Sequence, residues 1–246
     1  MIEKTMPTSI AKISFLIEKR LIKNVDHIIT VNDPLKTFFS KITHHAIDIV
    51  MNCGEVIAST YSPPKNPLFT VSYFGILDSS RMFPKIVEYL GTIENIQFLI
   101  AGKKARLYDE VEKVSKKYSN IIFLGSIPYN QVIEKTLDCN VILCMLDPEE
   151  KNNQVGLPNK IFEAMLTGRP VIVTKGLYCS KLVEAENCGV SVEYNLDEVK
   201  KSIMILRDNP KQCEELGKNG LNAAIREYNW EKQKKTLLAV YERLNA

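Results

Sequence analysis

The run Val155-Gly-Leu-Pro-Asn-Lys-Ile-Phe-Glu-Ala-Met-Leu-Thr-Gly-Arg-Pro-Val-Ile-Val173 reads as a loop, a helix and a short apolar strand, Pro170–Val173. Pro158 suits the first position of that helix, because its fixed φ is already helical and its missing N–H has no partner to lose there. The backbone N–H groups just after it are free, and with the helix dipole they form a ready site for a phosphate. Gly156 lets the preceding loop come close to a ligand. At 100° per residue, Ile161, Ala164, Met165 and Gly168 share a face that buries against a sheet. Asn159 and Glu163 fall on the opposite side, with Lys160 beside them. A carboxylate one turn into such a helix can accept hydrogen bonds from two vicinal hydroxyls. On periodicity alone, an ordinary solvated face is the better reading of those three residues.

Outward from this run, short apolar stretches alternate with helical ones. Strands are expected at 26–31, 47–51, 69–74, 96–101, 121–124, 140–143, 170–173 and 189–192, and helices at 85–90, 105–118, 131–137 and 180–186. Such alternation predicts an α/β fold, a doubly wound Rossmann-like parallel sheet covered on both faces, with flanking N- and C-terminal helices. The proline-rich segment 61–67 reads as a linker. Residues 1–60, with two strands and two helices, are too few to close a domain alone. Residues 68–228 form the Rossmann-like domain. Residues 229–246 form a docking helix, opened by Asn229 as N-cap, with Trp230, Leu237, Tyr241 and Leu244 on one face.

The 246 residues are 45% apolar and 25% charged, as in ordinary globular proteins. A net charge of +3, spread along the chain, argues against a nucleic-acid partner. Six cysteines form no C-x-x-C pair and no zinc-ligand spacing, and are read as reduced structural thiols. No leader and no apolar run of membrane-spanning length is evident, so a cytoplasmic protein is expected. The first helix, 9–23, carries seven large apolar residues together with Lys12, Lys19, Arg20 and Lys23. It reads as packing within a domain, with peripheral contact on the inner face of a membrane as the other reading. The three histidines, 27, 44 and 45, are expected in exposed loops or at strand edges.

The run Leu157-Pro-Asn-Lys-Ile-Phe-Glu163, followed by Ala-Met-x-x-Gly-x-Pro-Val-Ile172, resembles the signature of family 4 glycosyltransferases of the GT-B fold. Further landmarks fall in that family's order: Val25–Val31, Val50–Gly54, Ser72–Leu77 with Arg81, Phe98–Gly102, Ile122–Gly125 and Tyr228–Glu231. The resemblance runs from about residue 20 to the C-terminus and matches the C-terminal, donor-binding domain with only the tail of an N-terminal one.

The resemblance implies a retaining transfer of a sugar from a nucleoside-diphosphate sugar to a glycan or lipid-linked acceptor, with no metal or other cofactor. It implies that Glu163 holds the donor's ribose, that Gly75 lets its loop approach the diphosphate, and that Arg81 neutralises it. Ser126 and Ile127 would lie near the base, and Gly156, Leu157, Pro158, Asn159 and Lys160 around the phosphates and the sugar. Three positions depart from the pattern. Ile76 replaces an arginine, Arg81 replaces a lysine, and Val155 replaces the first glutamate of an E-x7-E pair, so the sugar contact is unassigned. Unpartnered apolar helices imply self-association or a separate acceptor-binding chain. The alternative function is a non-catalytic nucleotide-sugar-binding module. A dinucleotide-dependent dehydrogenase is set aside, because Phe74-Gly-Ile-Leu-Asp78 lacks the G-x-G-x-x-G pattern.

Overall fold

The computed structural model of the chain describes residues 8–245, and the side chain of Lys12 lies outside the described residues. Two compact units make up the chain: residues 53–229, and residues 1–52 together with 230–246.

In the smaller unit, α1 (Thr8–Leu21) runs into a 3₁₀ turn, Ile22–Asn24, and β1 (Ile28–Thr30) pairs in parallel with β2 (Ile47–Ile49). Between the strands lies α2 (Asp33–Ser40), capped by the Asn32 side chain, which accepts from Leu35 N–H at 3.0 Å. His27 lies at the edge of β1, one of the two places expected for it, but is not exposed. Its side chain is 7% accessible and meets Asp48 at 2.9 Å, which ties the start of β1 to β2. Arg243, near the end of the closing helix Trp230–Asn245, pairs with the same carboxylate. That helix also departs from its expected face. Gln233 and Val240 are its buried residues, while Tyr241 and Leu244 stay exposed. The buried glutamine has its reason in a hydrogen bond from Met51 N–H to its side-chain oxygen, 2.8 Å.

The larger unit is a six-stranded parallel sheet. Its elements in order are β3 (Phe69–Phe74), α3 (Lys85–Gly91), β4 (Ile96–Ala101), α4 (Tyr108–Ser115), β5 (Ile121–Phe123), α5 (Tyr129–Leu137), β6 (Val141–Cys144), α6 (Lys151–Val155), α7 (Asn159–Thr167), β7 (Val171–Thr174), α8 (Tyr178–Ala185), β8 (Gly189–Val192), α9 (Leu196–Asp208) and α10 (Pro210–Arg226). The strand order β5-β4-β3-β6-β7-β8 reverses between β3 and β6. In open α/β sheets a crevice for ligands lies outside the carboxyl ends of the strands at such a reversal.

Alternate residues on each strand go to opposite faces, and both faces are covered. Val71, Tyr73, Phe98, Ile100, Val141 and Leu143 pack against apolar residues of α3, α4 and α9. Phe74, Leu99 and Ala101 face the other way, toward Val132 of α5. All six cysteines are buried free thiols.

Helix α7 is the innermost. Every residue from Ile161 to Thr167 is buried, and its neighbours are β6, α5 and α10. The expected solvated face is therefore cut back to the first turn: Asn159 is exposed and Lys160 half-buried, but Glu163 is only 8% exposed. Pro158 also sits one place earlier than expected, as the N-cap residue with ψ 141°, so the helix opens at Asn159. At the other end Gly168, at φ 65°, reverses the chain. There α10 comes so near that a Cβ on Gly217 would lie 2.3 Å from the Gly168 carbonyl oxygen. The proline-rich segment lies inside this unit. Lys218 of α10 and the buried Arg169 stand over the Tyr61 ring at 5.6 and 5.5 Å, and the Asn66 amide donates to the Gln97 side chain at 2.9 Å.

Gly217→Ala is expected to lower stability by about 1–3 kcal/mol through overpacking of backbone against backbone. Thermal melting checks it, with a fall of a few degrees per kcal/mol for a chain of this size.

Candidate functional site

The carboxyl ends of β3, β4 and β5 rise in a staircase of glycines. Gly75 N–H donates to Ala101 O at 2.9 Å, and Gly102 N–H to Gly125 O at 2.9 Å. A Cβ on Gly102 would lie 2.6 Å from the Gly75 carbonyl oxygen, so only glycine lets the two loops stack this closely. Tyr73 fastens the first loop from below by donating its hydroxyl to Ile76 O at 2.5 Å. Burial raises the Tyr73 hydroxyl pKa well above its usual value and keeps it a donor.

Two cavities open above this staircase. The larger, about 430 Å³, is bounded by Gly75, Gly102, Ser126, Ile127, Tyr129 and Glu163 among others. The smaller, about 250 Å³, has Tyr73, Arg81, Cys144, Asn152, Gly156 and Leu157 in its wall. The smaller lies at the β3/β6 reversal itself, since Tyr73 is on β3 and Cys144 on β6. Lys160, at the start of α7, borders both.

Arg81 closes a 3₁₀ turn, Ser79–Arg81, that is held at several points. Asp78 accepts from Ser80 N–H, and Asp147 N–H donates to Ser80 O, both at 2.8 Å. The Tyr194 hydroxyl accepts from Met82 N–H and donates to Ser79 O, both at 3.2 Å. The guanidinium donates to Ser80 Oγ at 2.7 Å and lies 3.9 Å from Asp78, with the Arg81 side chain 23% accessible. The turn after β3 is thus tied to the loop after β6 and to the chain just past β8.

At the mouth of α7 no side chain caps the first N–H groups, because the N-cap residue is Pro158. Those donors and the positive end of the helix dipole face the cleft. Glu163, one turn in, has no hydrogen-bond partner or ion pair for its carboxylate among the described residues. Burial raises its pKa above the ordinary carboxylate range, and the nearby Lys160 partly offsets that rise. Burial likewise lowers the Lys160 pKa, and Arg81 pushes it the same way.

All ten residues expected at a site border this cleft. Gly75, Ser126, Ile127, Asn159, Lys160 and Glu163 line the larger cavity, and Arg81, Gly156, Leu157, Pro158 and again Lys160 the smaller. Sequence reasoning missed Tyr73, Lys103, Tyr129 and Asn152. Tyr129 and Ile76 are the most exposed large hydrophobic side chains of this unit, at 57% and 56%, and both face the larger cavity. The signal for Tyr129 was an aromatic at the very start of a helix just past a strand end, which periodicity does not reveal.

The sequence pattern described as "Glycosyl transferases group 1" matches residues 72–209, more than half of the chain. The chain belongs to the group 1 glycosyltransferases. No curated protein matches it in sequence. Among solved structures it is similar to S. aureus TarM, at 18% identity and a TM-score of 0.69, over 93% of this chain and 46% of TarM. It is similar to sucrose-phosphate synthase from Thermosynechococcus elongatus, at 17% identity and a TM-score of 0.74, over 99% of this chain and 65% of the synthase. It is also similar to Anabaena HepE, solved with UDP-glucose, at 14% identity and a TM-score of 0.69, over 90% of this chain and 64% of HepE. The shared architecture is GT-B. The glycosyltransferase chain described here spans 46–65% of the length of these three structures.

Because burial raises the folded-state pKa of Glu163, stability linked to its proton is complete below the unfolded carboxylate pKa of about 4.3. That stability is lost as pH rises through the folded value. Glu163→Gln, which cannot ionise, is expected to melt above wild type at neutral pH, with the gap closing as pH falls. Melting curves across that pH range check both the sign and the closing.

Proposed function

We propose that this chain is the C-terminal, donor-binding half of a family 4 retaining glycosyltransferase, and that its cleft takes a nucleoside-diphosphate sugar. The observation that carries the reading is Glu163: a carboxylate kept buried and without a protein partner one turn inside a helix whose N-terminus faces a cavity. A ribose offers two vicinal hydroxyls that satisfy it. The larger cavity then holds the nucleoside, with Ser126 and Ile127 near the base. The glycine staircase lets the diphosphate approach backbone, and Arg81 answers its charge. The smaller cavity receives the sugar beside Gly156, Leu157 and Pro158.

In the transfer, the bond from the sugar's anomeric carbon to the diphosphate oxygen breaks, and its electron pair stays on that oxygen. The acceptor hydroxyl oxygen bonds to the same face of the carbon and gives its proton to the departing diphosphate. Charge therefore grows where Arg81 and the α7 N-terminus stand, and such fixed positive groups favour the transition state. The reading needs no metal or resident cofactor. HepE was solved with UDP-glucose and TarM with UDP, which makes uridine the first base to try.

The acceptor is a glycan or lipid-linked molecule in this reading, the location cytoplasmic, and a second copy or a separate acceptor-binding chain a partner. Exposed apolar residues support a partner: Ile13, Leu16 and Leu21 of α1 are 56–63% accessible. The second reading, a module that binds the donor without turning it over, is favoured by one observation. None of the residues lining the smaller cavity is acidic, Val155 standing where a glutamate would select the sugar.

Calorimetry with uridine, guanosine and adenosine diphosphates is expected to find one preferred ligand, bound about 1–3 kcal/mol more weakly by Glu163→Ala. A folded chain that binds none of them would sink the donor-site reading.

A further inference from the structure

Lys160 is the residue that borders both cavities, and so marks the junction between the nucleoside side and the sugar side of the cleft. In a nucleoside-diphosphate sugar that junction is the pyrophosphate. The ammonium is drawn back under the first loop, 4.6 Å from the centroid of the Tyr73 ring. It fills the space a side chain at position 75 would need, since a Cβ on Gly75 would come within 2.4 Å of it. No carboxylate pairs with it among the described residues. It is a cation held in no ion pair, with Glu163 one turn on attracting it only from a distance, on the first turn of a helix whose N–H groups face the same way.

The loop above supplies little positive charge of its own. Ile76 follows the glycine, is 56% exposed and carries no charge. Arg81, further along, already donates to Ser80 Oγ and lies near Asp78. A diphosphate seated at the junction has two phosphates to neutralise, and the cations that border the cleft are Arg81, Lys103 in the loop after β4, and Lys160, of which Lys160 alone borders both cavities.

We infer that Lys160 is the second cation of the diphosphate site, reaching up from α7 beneath Gly75 to bind the phosphate next to the sugar, so that charge is supplied by the helix where the loop has Ile76. The π-face of Tyr73 holds the ammonium in the empty site, and the diphosphate draws it forward when the donor enters. Gly75 is required for its φ of 152°, which turns the loop, and its bare Cα leaves room for the ammonium, which a side chain there would push aside. Burial and Arg81 both disfavour the charged lysine in the empty site. An arriving dianion removes that penalty, and affinity then rests on this side chain more than on an exposed lysine. The inference rests on the donor-site reading above.

The test compares wild type with Lys160→Met and Lys160→Gln, using the preferred nucleoside diphosphate and the matching monophosphate, with thermal melting alongside. Both variants are expected to remain folded and to bind the diphosphate roughly 10–100-fold more weakly, as for a lost hydrogen bond to a charged group. The monophosphate, which lacks the phosphate next to the sugar, should change by only a few-fold, so the preference for diphosphate over monophosphate collapses. Unchanged diphosphate affinity in either folded variant would overturn the inference. So would an equal loss for both ligands with a lowered melting temperature, which would make Lys160 a packing residue on Tyr73. Failure of wild type to bind either nucleotide is a separate result: it removes the donor site itself, and with it this role.

Discussion

Helix α7 is buried along its whole length from Ile161 to Thr167, wedged among β6, α5 and α10. A helix in that position has no solvated side to carry polar groups, so its chemistry can leave only through its first turn. Pro158 as N-cap leaves the leading N–H groups uncapped, and Gly168 with Gly217 at the far end lets α10 press close. The cleft depends on this wedge. The dipole, Lys160 and Glu163 are aimed by a rigid, buried element, and sites built this way are held more closely than sites on loops. The loops opposite borrow rigidity from the sheet. The turn ending in Arg81 is tied to Asp147 after β6 and to Tyr194 after β8, so both walls refer to one sheet.

Such an arrangement stores unfavourable energy in the empty state. Glu163 is a buried carboxylate without a hydrogen bond or ion pair, and Lys160 a half-buried ammonium set over an aromatic face and held in no ion pair. Each charge alone resists burial, and their mutual attraction relieves only part of that cost. Packing of the surrounding apolar residues offsets the remainder. A purely structural helix at this position would carry leucine or alanine in both places. Charged residues here make sense if something arrives to complete them, and a molecule with vicinal hydroxyls at one end and a doubly charged phosphate at the other completes both.

The α/β alternation was legible from residue 69 to residue 192, because buried parallel strands leave uninterrupted apolar runs: of the six strand spans there, three coincide with the structure and three differ by one residue. What periodicity misread was α7. It assumes a helix has a wet side, and so it placed Asn159, Lys160 and Glu163 on one, whereas Ala164, Met165, Leu166 and Thr167 are buried on all sides and take Glu163 with them. The free N–H groups after Pro158 marked a phosphate site from the sequence, but only the resemblance put Glu163 in the same cleft. The closing helix failed for the opposite reason. Tyr241 and Leu244 are apolar enough to suggest a core face, while Gln233 looks polar and is buried by a single backbone hydrogen bond, a contact 182 positions away that no local pattern contains. The strand-edge place expected for His27 holds, but its ion pair was not legible, because Asp48 lies on the paired strand.

The placement of cations follows from where flexibility is tolerable. In the donor-site reading proposed above, an arginine just after Gly75 would sit on an exposed loop tip, free to find the diphosphate but equally free to leave it. A lysine on the first turn of α7 has its backbone fixed, so it loses less freedom on binding, and its ammonium is already parked one ring's width away on Tyr73. The same geometry explains why the tyrosine hydroxyl is turned aside to the Ile76 carbonyl. That bond holds the loop at the height the lysine needs and leaves the ring face, rather than the hydroxyl, toward the ammonium. A phenylalanine in its place would keep the ring face and lose the loop anchor, whereas a leucine would lose both, so the two functions of Tyr73 are separable in principle even though one side chain performs them.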